Sequence, residues 1–428
     1  MLELLSAESR AWRDKARKFA EEVVRPLAKE YDERQEYPWE IKEAMEKEGL
    51  FKVWIPEKYG GAGGERILNL CLVVEELSRA CGGVGVMFAV NALGSFPIIV
   101  GGTEEQKQKW LPRLASGQTL IAFCLSEKGS GSDAQSMRMR AVRDGGHFVL
   151  TGEKKWTTNG GPANLYTVFA VTDPKSKSKR ISGILVEKGT PGFHIRKVED
   201  KMGIRCVPVV ETLFKGCRVP AENLLGGEEG FGFRHAMGTL DIARPGVAAQ
   251  ALGLAQGALD LALAYTTRRK QFGQPVIQFQ GIQHRVADMG TRVEAARQLV
   301  YTAARAADKG VEGLTKISAM AKLFATDVAM EVTTHAVQLF GGYGYMKDYP
   351  IEKYMRDAKI TQIYEGTNEI QRLVVARYLT KEATALRYLD KYIPTETQFV
   401  ADEEGLGDPA TYSVETTRSA EEPEPAKP

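Results

Sequence analysis

The sequence predicts a mainly α-helical protein built around a central β domain, and three changes of texture along its 428 residues predict it. Residues 1–118 carry apolar positions at helical spacing. Residues 119–230 carry short β-rich runs between turn residues, and 231–393 return to long apolar helices. We therefore expect an N-terminal helical domain, an antiparallel β-barrel or sandwich, and a C-terminal four-helix bundle. A further segment, 394–428, is rich in Pro, Glu and Thr and has no apolar period, so it reads as disordered or as a surface extension.

In the first domain Phe19, Val23, Leu27 and Tyr31 recur four residues apart and share one helix face, with Pro26 expected to kink or break the pattern. Gly60, Gly61, Gly63 and Gly64 form a loop before a helix through Leu70, Val74 and Leu77. Thr103, followed by Glu105 and Gln106, resembles a capping box. In the second domain the β-rich runs are 147–151, 165–171, 181–187 and 209–214. No strand–helix alternation accompanies them, which disfavours a doubly wound dinucleotide fold. In the third, apolar helical period runs through 247–268, 282–308, 316–339 and 369–392.

The formal charge of +2 hides an asymmetry. Residues 395–428 hold nine acidic and two basic residues, leaving 55 basic and 46 acidic in the body, a net of +9. Such a body suits an anionic ligand, but a solvated charged surface is the plainer reading. Nothing marks a nucleic-acid binder. The five cysteines (Cys71, Cys81, Cys124, Cys206, Cys217) form no CxxC pair and no zinc spacing, so we expect reduced thiols and no metal. The N-terminus shows neither apolar leader nor transit peptide, and no long apolar run is read as a bilayer span. A cytoplasmic, bacterial-type chain is expected.

Five segments carry candidate chemistry. In 357–372 (DAKITQIYEGTNEIQR), Glu365 lies between Tyr364 and Gly366, just before Thr367 as helix N-cap. A carboxylate among apolar groups there has the raised pKa of a general base, and free amides beyond Gly366 suit an anionic ligand. On spacing alone it reads first as an ordinary acidic residue at a helix start. In 123–133 (FCLSEKGSGSD), alternating Gly and Ser follow a short apolar strand and either contact a phosphate or flavin, or simply turn. In 154–160 (KKWTTNG), an indole beside two hydroxyls suits a planar cofactor or a strand core. The segments RKQFG (269–273) and QLFGGYGY (338–345) add an arginine-led turn and a glycine helix stop.

Together, in this order and at these separations, the five segments resemble the acyl-CoA dehydrogenase family over about residues 5–385, with short- and medium-chain-like detail near the site. The resemblance implies that family's fold: a helical domain, a β domain and a four-helix bundle, with FAD between the last two and its adenine half reaching a neighbouring subunit. It also implies a homotetramer built as a dimer of dimers.

Carried over by position, the resemblance assigns Phe123, Cys124, Leu125, Ser126, Gly131 and Ser132 to the flavin loop, with Ser126 near the pyrimidine edge and Ser132 also close to the acyl-CoA. Trp156, Thr157 and Thr158 would cover the flavin, Thr158 near N5. Arg269 (with Lys270), Gln271, Phe272, Phe279 and Gln280 match contacts across the dimer. Gln338, Leu339, Gly341 and Gly342 match the segment holding the other subunit's adenosine and pyrophosphate, and Thr367, Asn368 and Glu369 make the last cofactor contact. Asp241, Arg244, Tyr364 and Gly366 lie on the substrate side.

By the same resemblance Glu365 removes the α-proton of an acyl-CoA thioester while the β-hydrogen passes as hydride to flavin, giving a trans-2-enoyl-CoA. The Glu365 amide and a flavin ribityl hydroxyl would steady the thioester oxygen, and electrons would pass to electron-transfer flavoprotein. The other base position in the family falls at Ala243, immediately before Arg244, and alanine takes no proton. Two departures stand out: Lys128 followed by Gly129-Ser130-Gly131 where the family has proline and Gly-Ala-Gly, and Ser126 where threonine is usual. Lys128 is expected to face solvent. The competing readings are an acyl-CoA oxidase-like flavoenzyme that reduces oxygen, and a catalytically silent assembly or scaffold relative.

Overall fold

The computed structural model describes residues 5–392; the acidic segment 394–428 lies outside them. One compact unit runs through Val375 and a second begins at Ala376.

Six helices open the chain: α1 (Ala7–Phe19), α2 (Arg25–Arg34), α3 (Trp39–Lys47), α4 (Arg66–Ala80), α5 (Gly82–Gly101) and α6 (Glu104–Ala115). The α-helical pattern is interrupted just before Pro26. A π-turn over Ala20–Val24 joins α1 to α2, with the Arg25 amide bonding the Ala20 carbonyl, and Pro26 falls in the first turn of α2, where its missing N–H costs no helical bond. Ser6 caps α1 by accepting from the Ser9 amide at 3.1 Å. The capping box at α6 is complete: Thr103 Oγ1 accepts the Gln106 amide at 3.3 Å, and Gln106 Oε1 accepts the Thr103 amide at 3.1 Å. Gln106 Nε2 then donates to the Glu222 and Leu224 carbonyls, tying the helical domain to the end of the sheet.

The sheet has seven strands: β1 (Ile121–Cys124), β2 (Arg140–Asp144), β3 (His147–Thr158), β4 (Leu165–Val171), β5 (Ile181–Glu187), β6 (Phe193–Val198) and β7 (Val209–Pro220). β4 and β5 coincide with their sequence runs. β3 and β7 are longer than theirs because bulges carry their pairing past irregular residues. β2 (RAVRD) and β6 (FHIRKV) are mostly exposed; β2 is mostly charged, and the apolar residues of β6 (Phe193, Ile195, Val198) are too scattered to form a run. The sheet is mostly antiparallel, but β1 runs parallel to β4 in register Ile121↔Leu165 to Cys124↔Val168. β4 is buried along its whole length, and Thr167 Oγ1 reaches the Gly94 carbonyl of α5 at 3.0 Å.

Beyond the sheet come α7 (Gly232–Arg268), a short hairpin of β8 (Lys270–Gln271) and β9 (Gln274–Pro275), α8 (Gln280–Lys309), α9 (Leu314–Phe340), α10 (Ile351–Lys359) and α11 (Asn368–Ala383). α7 begins well before the Ala/Leu run, at Gly232, and continues through Pro245. A Cβ at Gly232 would lie 2.4 Å from the Ser182 carbonyl carbon, so glycine lets this helix start directly against β5. Asp308, near the end of α8, accepts the Ile67 and Leu68 amides at 2.8 and 2.9 Å and so caps α4 from another element.

One sequence expectation needs correction. α5 is 20 residues without a charge, and both α5 and α7 are long and apolar enough to cross a bilayer. Of their apolar windows, 78% and 72% are buried inside the protein, as core helices of an all-round apolar kind are. No group of metal-ligating side chains occurs among the described residues, and all five cysteines are free and buried.

Candidate active site

The turn between α10 and α11 places Glu365. Thr361–Tyr364 follow α10 in tight turns, with the Ile363 and Tyr364 amides both bonding the Ile360 carbonyl. Glu365 then takes φ 53° and Gly366 φ 93°, two consecutive left-handed residues. Glycine accepts that region freely; a glutamate does so under strain, held by what surrounds it. Thr367 caps α11, its Oγ1 accepting the Ile370 amide at 3.3 Å. Among the described hydrogen bonds none uses the Glu365 or Gly366 amide, so both N–H groups remain available.

The Glu365 side chain is poised. Its Oε2 is shielded from solvent yet has no hydrogen-bond partner. Burial pushes the carboxyl up to about 7, against the opposing pull of Lys322 and Arg244. Arg244, buried on α7, donates to Asp241 Oδ1 at 2.6 Å, while Asp241 Oδ2 accepts from Thr315 Oγ1 at 2.6 Å. The Arg244 Nε is buried without a partner. Tyr364 Oη donates to Gln250 Oε1 of α7. Ala243, beside Arg244, is buried and offers no second base. Thus Glu365, Arg244, Asp241, Tyr364 and Gly366 belong to one neighbourhood.

Four residues of this neighbourhood went unread in the sequence: Lys322, Gln250, Gln371 and Thr315. Lys322 does leave a signal, because it interrupts the buried stripe of α9 formed by Ser318, Ala325, Thr326 and Ala329. Gln371 binds the Gly366 carbonyl at 2.8 Å and gives no comparable sequence sign.

The β-domain candidates lie along the end of β1 and the end of β3. Ser126, just past β1, accepts the Lys155 amide at 2.9 Å through its carbonyl, which sets the loop against β3. Glu127 is its anchor: its carboxylate takes the Lys154 ammonium at 2.8 Å and the Arg138 and Met139 amides at 2.6 and 2.9 Å. Lys154 also donates to the Leu125 carbonyl at 3.0 Å. Lys128, Gly129, Gly131 and Ser132 are exposed. Trp156 sits at a bulge with φ 55° and is 54% exposed. The Thr157 hydroxyl instead turns inward to Cys124 Sγ at 3.5 Å, so both side chains lie in the core; Phe123 packs on Phe169 at 5.2 Å.

The remaining candidates are at the far ends of the long helices. Arg269, Gln271, Phe272 and Gln280 are exposed, Phe272 by 93%, with Phe279 half-buried beside it. Gln338, Gly341 and Gly342 are exposed, while Leu339 is buried. Arg269 lies 5.5 Å from the Tyr343 ring, linking the two segments. Asn368 is buried against Thr326 and Asp327, and Glu369 is exposed.

In exposure and donor chemistry the open residues of this set suit a flavin nucleotide. A Cβ at Gly129, Gly131, Gly341 or Gly342 would meet nothing within 4 Å, so a flat or phosphate-bearing ligand has open access to the main chain there. Serine and threonine hydroxyls suit a ring edge, and Arg269 suits a phosphate.

Known proteins bear on this arrangement. The N-terminal, middle and C-terminal domains of acyl-CoA dehydrogenase match residues 6–118, 122–217 and 230–380. A short-chain specific acyl-CoA dehydrogenase of Clostridium acetobutylicum is 48% identical over 373 residues, 87% of this chain and 98% of its own. The butyryl-CoA dehydrogenase structure of Megasphaera elsdenii superposes with a TM-score of 0.86 at 44% identity, covering 88% of this chain and 99% of that one. A chain in the structure of the electron transferring flavoprotein of Acidaminococcus fermentans also gives 0.86, at 47% identity over 88% of this chain and 98% of its own. With a likeness that runs through all three domains and nearly the full length of these relatives, the chain belongs to the acyl-CoA dehydrogenase family of oxidoreductases.

Proposed function

We propose that this chain binds FAD and dehydrogenates an acyl-CoA thioester between its α and β carbons, with Glu365 as the base, and passes the electrons to an electron-transfer flavoprotein. The observation that carries the reading is the Glu365 carboxylate: shielded, unpartnered, raised to about 7, and held on a left-handed residue beside free amides.

Each of those features serves proton abstraction. A base whose pKa lies near working pH is ionised yet still basic enough to take an α-proton. The free Glu365 N–H is the kind of donor that steadies a thioester oxygen as charge develops on it. Gly366 opens the turn for an approaching thioester, and Tyr364, tied to Gln250, fixes the segment from α7. Ser126, Ser132, Trp156, Thr158 and the exposed ends of α7 to α9 would hold the flavin, which when bound supplies the hydride acceptor. The exposed Phe272 and Tyr345 rings, at 93% and 81%, call for a cover, which supports a homotetramer in which subunits share the nucleotide sites.

Butyryl-CoA and other short straight acyl-CoAs head the substrate list, because two of the similar proteins carry short-chain names. The test is anaerobic bleaching of the bound flavin against a panel of straight, branched and cyclic acyl-CoAs. Bleaching by short acyl-CoAs that disappears in Glu365→Gln supports the reading. A protein that binds no flavin, or a Glu365→Gln variant that still turns over, refutes it.

A further inference from the structure

The ammonium of Lys322 has no exposure to solvent, yet no carboxylate lies within salt-bridge distance of it among the described residues. A buried lysine without a paired carboxylate is costly and does not persist for packing alone. Its hydrogen bonds say what it holds: the Gly366 carbonyl at 2.9 Å and Asn368 Oδ1 at 2.8 Å. Gln371 Nε2 meets the same Gly366 carbonyl at 2.8 Å, and the Glu365 carbonyl at 3.4 Å. The Gly366 carbonyl is therefore pinned from α9 on one side and α11 on the other, and the Glu365 carbonyl from α11.

The charges that face Lys322 are Glu365 on the turn, Glu369 on α11, Asp327 on α9 and Arg244 on α7. We infer that Lys322 is a positioning residue for the base: it locks the Glu365–Gly366 turn through the Gly366 carbonyl and sets a positive charge beside the Glu365 carboxylate. The inference rests on Glu365 being the base.

Burial lowers Lys322 to about 7, while it raises Glu365 to about 7, so the two groups titrate in the same range. A positive Lys322 favours the ionised carboxylate. Removing that charge raises the pKa of Glu365, and the acid limb of the kcat/KM profile moves to higher pH.

Lys322→Gln keeps a donor for the Gly366 carbonyl and drops the charge; Lys322→Met drops both. In the flavin-loaded enzyme we expect both variants to move the acid limb up by roughly one pH unit. Plateau kcat should fall further in Lys322→Met than in Lys322→Gln, and Lys322→Arg should restore the limb. Infrared titration of the Glu365 carboxyl, assigned by its loss in Glu365→Gln, should show the same upward shift with no turnover involved. Acid limbs and infrared titrations that superpose on wild type in variants with full flavin content would overturn the inference. Should a variant fail to fold, the wild-type infrared titration decides: two coupled steps support it, and one independent step overturns it. Turnover in Glu365→Gln would instead remove the base assignment itself, whatever Lys322 does.

Discussion

The β domain and the bundle each bury a lysine near a glutamate, and the two glutamates are left in opposite states. In the β domain Lys154 and Glu127 close to 2.8 Å, and two main-chain amides complete the carboxylate's shell. Burial alone would push Glu127 up, but Lys154 and these hydrogen bonds outweigh it and hold the carboxyl below its ordinary value. In the bundle Lys322 is spent on a main-chain carbonyl and an amide side chain, and the Glu365 Oε2 is left with no partner. That carboxyl rises to about 7. The same residue types give a braced carboxylate in one place and, in the other, an unpartnered one that we propose as the base. Stronger desolvation of Glu365 and the hydrogen bonds that only Glu127 receives together separate them.

Glu365→Gln tests the reactive side most severely. Turnover should drop by about 10⁴-fold, the range of a lost general base, with flavin absorbance retained. Against this, Glu127→Gln should leave a buried ammonium unpaired and cost about 3 kcal/mol in denaturant unfolding, together with flavin retention, because the loop after β1 loses its anchor. If the two variants behaved alike, the contrast between brace and base would fail.

The pH dependence should have opposite signs at the two sites. A raised Glu365 holds its proton more tightly folded than unfolded, so its contribution to stability is present below about 4.5 and is lost as pH rises towards 7. A lowered Glu127 contributes above its unfolded pKa, and that contribution is lost as pH falls through its folded value. Glu365→Gln should therefore be more stable than wild type at pH 8, by about 1–2 kcal/mol, and no more stable at pH 4. Thermal melts at both pH values measure this. A variant equally stable at both would show that Glu365 is not desolvated.

Smaller effects sharpen the picture. Gly366→Ala would place a Cβ 2.5 Å from Gln371 Nε2 at φ 93°, and should cost about 1–2 kcal/mol along with the geometry of the base. Thr103→Ala, far from either lysine, should cost about 1 kcal/mol through its capping box and leave kcat unchanged. Loss of activity in that variant would mean that the helical domain is coupled to the site more tightly than its contacts indicate.

Much of this was legible in residue order alone. Helical period, β-rich runs and turn residues depend on neighbours in sequence, so the three-part plan, the α6 cap, the Thr367 cap and the runs of β4 and β5 could be read directly. Spacing alone left Glu365 an ordinary acidic residue at a helix start; only the family resemblance of its segment proposed it as the base and put Ala243 at the other base position. The remainder depended on partners distant in sequence. The helix around Pro26 passed through a π-turn, and the exposed strands β2 and β6 formed because β3 and β7 offered them edges. An uncharged 20-residue α5 became a core helix because other elements covered it. Whether a buried carboxylate is satisfied or poised is set by which donors the fold brings to it, 27 residues away for Glu127 and 43 for Lys322 beside Glu365. Sequence determined which groups were available; only tertiary structure decided which of them went without a partner.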